Sequence, residues 1–169
     1  MHHLYLIKSK THDHTSQYTY RFDDHTLSPA NQVLTRLFRQ MILAVEDGLT
    51  TLEVEYMDHH MVKLVGSRRA QEILSLLGAS KDNIEENKKG DVVLSRTFRS
   101  NLTPEALHYF KRIQDLEELN AYRLIANNTV KVEVYFVKEM KAWFTVEEEE
   151  RFLGLIEEDR IPIKIIEDI

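Results

Sequence analysis

Cysteine is missing altogether from the 169 residues, which removes disulfides, thiolate metal ligands, iron–sulfur clusters and cysteine nucleophiles. Glycine is scarce as well. The five glycines stand at 48, 66, 78, 90 and 154, too far apart for the Gly-x-Gly-x-x-Gly turn of dinucleotide sites or for a P-loop. No apolar run approaches the roughly 18 residues of a membrane-spanning helix. The opening stretch Met1-His2-His3-Leu4-Tyr5 has no cationic region followed by a long apolar one, so no secretion signal is read there. A cytoplasmic protein with no membrane contact and no cofactor is expected.

What remains is the composition of a globular protein, 43% apolar and 30% charged, long enough for one substantial core or two small ones. The net charge is −6, and residues 91–169 hold 16 acidic against 11 basic side chains, whereas residues 1–90 hold 12 against 11. Phosphate backbones need a basic surface, so nucleic acid is an unlikely partner on charge alone. The strand expected over Lys131–Phe136 also lacks the basic, glycine-containing aromatic motif of RNA-recognition sheets.

Periodicity divides the chain into short elements. Leu4–Lys8 reads as a strand followed by a polar turn, and Gln17–Phe22 alternates with Tyr18, Tyr20 and Phe22 on one side. Ser28-Pro29 supplies a capping hydroxyl and a proline at the first helical position. Leu34, Leu37, Phe38, Met41, Ile42 and Val45 then form a helical stripe, with Gly48 placed to close it in a left-handed conformation. Leu52, Val54 and Tyr56 alternate with glutamates, Asp58-His59-His60 reads as a turn, and Met61–Val65 as the next strand. A helix opens at Gly66-Ser67 and ends at Gly78, and polar Lys81–Gly90 predicts an exposed loop.

In the second half, Val92–Thr97 alternates and Leu102-Thr103-Pro104-Glu105 repeats the hydroxyl–proline device. Ala106, Phe110, Ile113, Leu116 and Leu119 predict the longest helix of the chain, running to about Ala126 before Asn127-Asn128. Strands follow at Val130–Phe136 and Met140–Phe144. A capping box at Thr145 and Glu148 starts a helix with Phe152, Leu153 and Ile156 inward, and a last strand carries Ile161, Ile163 and Ile165.

The second half thus reads strand, helix, strand, strand, helix, strand. The expected class is α+β, with two ferredoxin-like (βαββαβ) halves, 1–90 and 91–169. Each would be an antiparallel sheet with helices on one face, the two packed closely or sharing a sheet as one structural domain. Met61–Leu77 laid on Met140–Ile156 matches Ile73-Leu74 with Phe152-Leu153, the pattern of an internal duplication. The first half lacks an apolar final strand, and Leu4–Lys8 is expected to fill that place.

Candidate chemistry is thin. His12 and His14 form an H-x-H pair that extended backbone would turn to one side, a start for a metal site if His2, His3 or His25 joined them. Ser67, Arg68 and Arg69 at a helix start offer free N–H groups and two guanidiniums to an anion. Asp58-His59-His60 resembles the triplet of the DHH phosphoesterases, in which such residues bind manganese. Their further aspartate motifs are missing here, so a solvated turn is expected. Trp143 and Phe144 are expected in the core.

No nucleophile elbow or catalytic pair stands out. The leading expectation is therefore a non-enzymatic adaptor or regulatory module that contacts another protein, or itself, through a sheet edge or an acidic surface. That surface would comprise Glu147, Glu148, Glu149, Glu150, Glu157, Glu158 and Asp159. The layout is similar to that of acidic adaptors of bacterial proteolysis. The alternatives are a small-ligand regulatory domain, resembling amino-acid sensors, with its ligand between the halves, and a metal-binding protein using the histidine-rich N-terminal region.

Overall fold

The computed structural model describes residues 3–22, 31–135 and 138–168. Two strands open the chain, β1 (Leu4–Lys10) and β2 (Ser16–Arg21), antiparallel with Ile7 opposite Thr19. Helix α1 (Asn31–Val45) follows; the Ser28-Pro29 start and His25 lie outside the described residues, as do His2 and Phe136. Strand β3 (Thr51–Tyr56) leads into two short helices, α2 (Asp58–Val65) and α3 (Ser67–Leu76), and then into a hairpin of β4 (Glu85–Lys89) and β5 (Val92–Asn101). Helix α4 (Pro104–Lys111) precedes a meander of β6 (Ala121–Ala126), β7 (Thr129–Tyr135) and β8 (Glu139–Phe144). Helix α5 (Val146–Glu158) and strand β9 (Ile163–Glu167) complete the order.

The protein is α+β: among the described residues, nine strands form one mixed sheet and five helices accompany it. The strand order is β4-β5-β3-β6-β7-β8-β2-β1-β9. Its pairs are antiparallel apart from β1 with β9, and that parallel pair is what a crossover through α5 produces. Residues on both sides of position 90 share this sheet, since β3 pairs with β5 and β6, and β2 pairs with β8.

Period-two alternation decides which face is dry. Leu52, Val54 and Tyr56 of β3 are buried beside Tyr122 and Leu124 of β6, Val132 and Val134 of β7, and Met140, Ala142 and Phe144 of β8. Apolar residues of all five helices join them in one cluster. Two aromatic groups anchor it. Tyr18, Phe144 and Phe152 meet with centroids 4.7 to 5.6 Å apart, and Phe38, Phe110 and Tyr122 at 5.4 to 5.7 Å.

The opposite face is charged. Glu53 stands directly across from both Arg99 and Arg123, Arg123 across from Glu133, and Glu133 across from Lys141, so one row of alternating sign crosses five strands. Arg123 reaches Glu53 at 2.6 Å, an opposed pair that cross-strand geometry favours.

Several expected elements change type. Met61–Val65 is helical: the helix buries Met61 and half-buries Val65, leaves Val62 and Leu64 exposed, and places Asp58 in its first turn against Arg96. A short apolar run fits either period, and here helix wins. The helix from Pro104 stops at Lys111, with Thr103 Oγ1 capping its start by accepting from Ala106 N, so α1, at 15 residues, is longer. Phe110, Ile113, Leu116 and Leu119 are all buried, but their spacing of three continues as a turn and a 3₁₀ segment rather than as α-helix.

Asn127 and Asn128 both have positive φ and form the two-residue turn of the β6–β7 hairpin, the conformation asparagine tolerates best after glycine. Polar Lys81–Gly90 contains strand β4 instead of remaining a loop, its exposed residues held by pairing with β5. Gly48 ends a 3₁₀ turn without positive φ, whereas Gly78, at φ 94°, closes α3 as expected. Leu4–Lys8 lies within β1, between β2 and β9, at the far end of the sheet from β4.

Candidate functional site

Two regions present chemistry that the core does not consume. The first is a cleft of about 840 Å³ between α3 and α4. Tyr109 and Ile113 are its buried floor, Leu76 and Pro104 add apolar walls, and Arg69, His108, Arg112, Glu105 and Glu118 stand around it. Helical spacing explains the α4 contribution, because Glu105, His108, Tyr109 and Arg112 recur at intervals of three and four. Tyr109 Oη donates to Glu118 Oε2 at 2.6 Å. Burial, reinforced by the Glu118 charge, pushes the phenol up, with Arg69 acting weakly the other way.

Arg69 belonged to the anion site expected with Ser67 and Arg68. The three do not converge. Arg68 is 95% exposed at its side chain and pairs with Glu72 at 3.3 Å along its own helix, and Ser67 is exposed. Arg69 alone turns to the cleft, keeping a long 3.7 Å link to Glu72. Its neighbours His108, Tyr109 and Arg112 were not singled out by sequence, although the polar stripe on α4 was legible. Their meeting with a residue about 40 positions away was not.

The second region is the free edge of β9. β9 pairs with β1 on one side, and among the described residues no strand pairs with the other. Ile165 is 38% exposed and Ile166 51%. Tyr5, on neighbouring β1, is also exposed.

The remaining sequence candidates are distributed differently. The β1–β2 loop holds His12 and His14, but His14 has φ 66°, so the backbone is not the extended one that aligns an H-x-H pair. Between them Asp13 takes hydrogen bonds from Thr11 and Thr15, which hold its carboxyl down at about 2. Among the described residues no three His, Asp or Glu side chains are grouped as a metal site requires. His12 lines a smaller hollow with Lys131 and Trp143. Trp143 is half-buried beside Gln17, to which its Nε1 donates at 3.1 Å, while Phe144 occupies the core. Asp58, His59 and His60 start α2 rather than forming a turn.

The acidic surface is partly internal. Glu148 completes the capping box with Thr145 and pairs with Lys131 at 2.6 Å. Glu149 accepts from Tyr18 Oη at 2.9 Å and pairs with Lys8 at 3.2 Å. Burial pushes its carboxyl up, but hydrogen bonds from Ser16, Tyr18 and Lys8 outweigh that and hold it below the ordinary range. Burial, with Glu149 second, raises the Tyr18 phenol. The Arg36 hydrogen bond holds Asp159 down, helped by Gln40. Glu147, Glu150, Glu157 and Glu158 remain exposed.

No helix among the described residues is long and apolar enough to cross a membrane. No family model, no curated protein and no solved structure matches the chain.

Proposed function

We propose that the chain is a non-enzymatic interaction module working in the cytoplasm, and that it makes its contact by adding a strand to the free edge of β9. The added strand is β9 of a second copy. The observation that supports this is the apolar character of that edge: Ile165 and Ile166 stand exposed beside a row of backbone groups that no strand among the described residues pairs with, the usual template for strand addition. Charge supports the same occupant. Two antiparallel β9 strands related by a two-fold axis at Ile166 set Lys164 of each copy opposite Asp168 of the other, on the face shared with Ile7.

The test is the mass in solution by sedimentation equilibrium. Dimer at tens of micromolar, converted to monomer by Ile166→Lys with unchanged circular dichroism, supports the reading. A wild-type monomer at hundreds of micromolar sinks it.

We also propose that 1–90 and 91–169 descend from one ferredoxin-like unit and now form one structural domain. Its support is the recurrence of strand, helix, strand, as β2-α1-β3 before position 90 and again as β5-α4-β6 after it. Separate expression tests it: because β3 and β2 pair across position 90, neither half alone is expected to unfold cooperatively.

A further inference from the structure

The β9 edge leaves the cleft between α3 and α4 without a role, and the chemistry around it is unbalanced. Among the described residues no carboxylate lies within ion-pair distance of Arg112, whose side chain is exposed beside the cleft. Among the described residues Arg69 makes one ion pair, its 3.7 Å link to Glu72. Of the two carboxylates at the cleft, Glu118 is already engaged by Tyr109 Oη at 2.6 Å, which leaves Glu105. The floor is apolar and already ordered: Tyr109 and Ile113 are buried members of the core, so a ligand resting there would not have to organise it. Because its hydroxyl is committed to Glu118, Tyr109 offers a ring rather than a donor.

We infer that this cleft binds a small organic acid, with the carboxylate held between Arg69 and Arg112 and an apolar body laid over Tyr109, Ile113 and Leu76. The volume, about 840 Å³, is within the range of small-molecule sites, which combine an apolar lining with a few convergent polar groups. Guanidinium groups suit a planar carboxylate because they can present two parallel N–H donors to its two oxygens. A bare inorganic anion would use the arginines and leave the apolar floor uncovered. A nucleotide would ask for a glycine-rich backbone cradle that the spacing of the glycines does not provide.

The remaining carboxylate divides the ligand class in two. Glu105 lies on the same face of α4 as Arg112 and can take an ammonium, so an α-amino acid with an apolar side chain is one source of the chemistry and a simple arylalkyl acid the other.

Titration of the ¹⁵N-labelled full chain, with separate additions of 3-phenylpropionate, L-phenylalanine, 3-phenylpropanamide and inorganic phosphate, tests the proposal. The expected result is saturable shifts at Arg69, Tyr109, Arg112 and Ile113 with at least one of the two acids, and binding at least tenfold weaker with the amide and with phosphate. Tighter binding of phenylalanine that Glu105→Gln abolishes assigns the amino-acid source; equal binding of both acids assigns the simple acid. Arg69→Gln and Arg112→Gln each lower affinity about tenfold, the effect of one lost charge-assisted contact of about 1.4 kcal/mol. Both side chains are exposed, so the variants keep their fold. The proposal is overturned if neither acid shifts these residues at millimolar concentration, if the amide or phosphate binds as well as the acids, or if both arginine variants bind like the wild type.

Discussion

The two ends of the sheet are finished in opposite ways. At one end β4 is Glu-Glu-Asn-Lys-Lys, exposed throughout and interrupted by a register shift between Asn87 and Lys88. At the other end β9 is Ile-Lys-Ile-Ile-Glu, regular and parallel to β1. Charge and irregularity are the common means of discouraging another strand from adding, and an apolar, regular edge invites one. The support beneath also differs. β9 follows α5, whose Phe152 stacks on Phe144, whereas the β4–β5 hairpin leaves Val92 and Leu94 exposed. If β9 takes a second strand as proposed, the charged β4 end would confine addition to that edge, so that a sheet with two free edges among its described residues would form a closed pair instead of a fibre.

Removing the support of the β9 end has the largest expected effect. Phe152→Ala leaves a cavity among Tyr18, Phe144 and α1 and should cost about 3–5 kcal/mol, read from chemical denaturation. Hydrogen exchange should then show β9 losing protection before β3 does; equal loss everywhere would erase the contrast between the ends. Gly78→Ala probes the other side. Its φ of 94° opposes any side chain, and an added methyl carbon would come within 2.9 Å of Ser100, so a loss of about 1–3 kcal/mol is expected, with early exchange in β5.

Acid separates the ends again. Glu149 ties α5 to β1 and β2, and Asp159 ties it to α1, and both carboxyls are held below their ordinary values. A depressed carboxyl binds its proton more readily in the unfolded chain. These groups therefore add stability above the unfolded value, and lose it as pH falls through the folded one. Glu149→Gln with Asp159→Asn should flatten the acid limb of a urea-midpoint profile, and a steep limb in the double variant would place the acid sensitivity elsewhere. The smallest change in stability, within about 0.5 kcal/mol, is expected for Glu86→Val with Lys88→Val on the exposed β4 edge. Its consequence should be new: association at a second edge, seen as species larger than a dimer.

Much of the fold was legible because period-two alternation and capping are local. β3, β7 and β8, the Thr103 and Thr145 caps and the Gly78 stop all follow from residues within one or two turns of one another. The misreadings share a cause, since in each the deciding partner lies far along the chain. Met61–Val65 is settled by burial of Met61 in the common core, β4 exists through its pairing with β5, and Ala121–Ala126 is a strand because β3 and β7 flank it. The cleft follows the same rule. Arg69 was legible as a cation at a helix start, but its place beside the same cleft as Tyr109 and Arg112 depends on where the fold sets α3 and α4.

The row of opposed charges on the open face adds information that the apolar pattern lacks. Alternation tells a strand which side to bury, yet a slip of two residues keeps every apolar side chain inward and would be nearly silent in the core. In the meander, such a slip in one direction puts Arg123 opposite Lys131 and Glu133 opposite Glu139, like against like, while the observed alignment puts each against its opposite. The charges thus act as a proofreading code for strand alignment, weak in any single pair, that adds to the two-residue Asn127-Asn128 turn in disfavouring an arrangement that hydrophobic burial alone would accept.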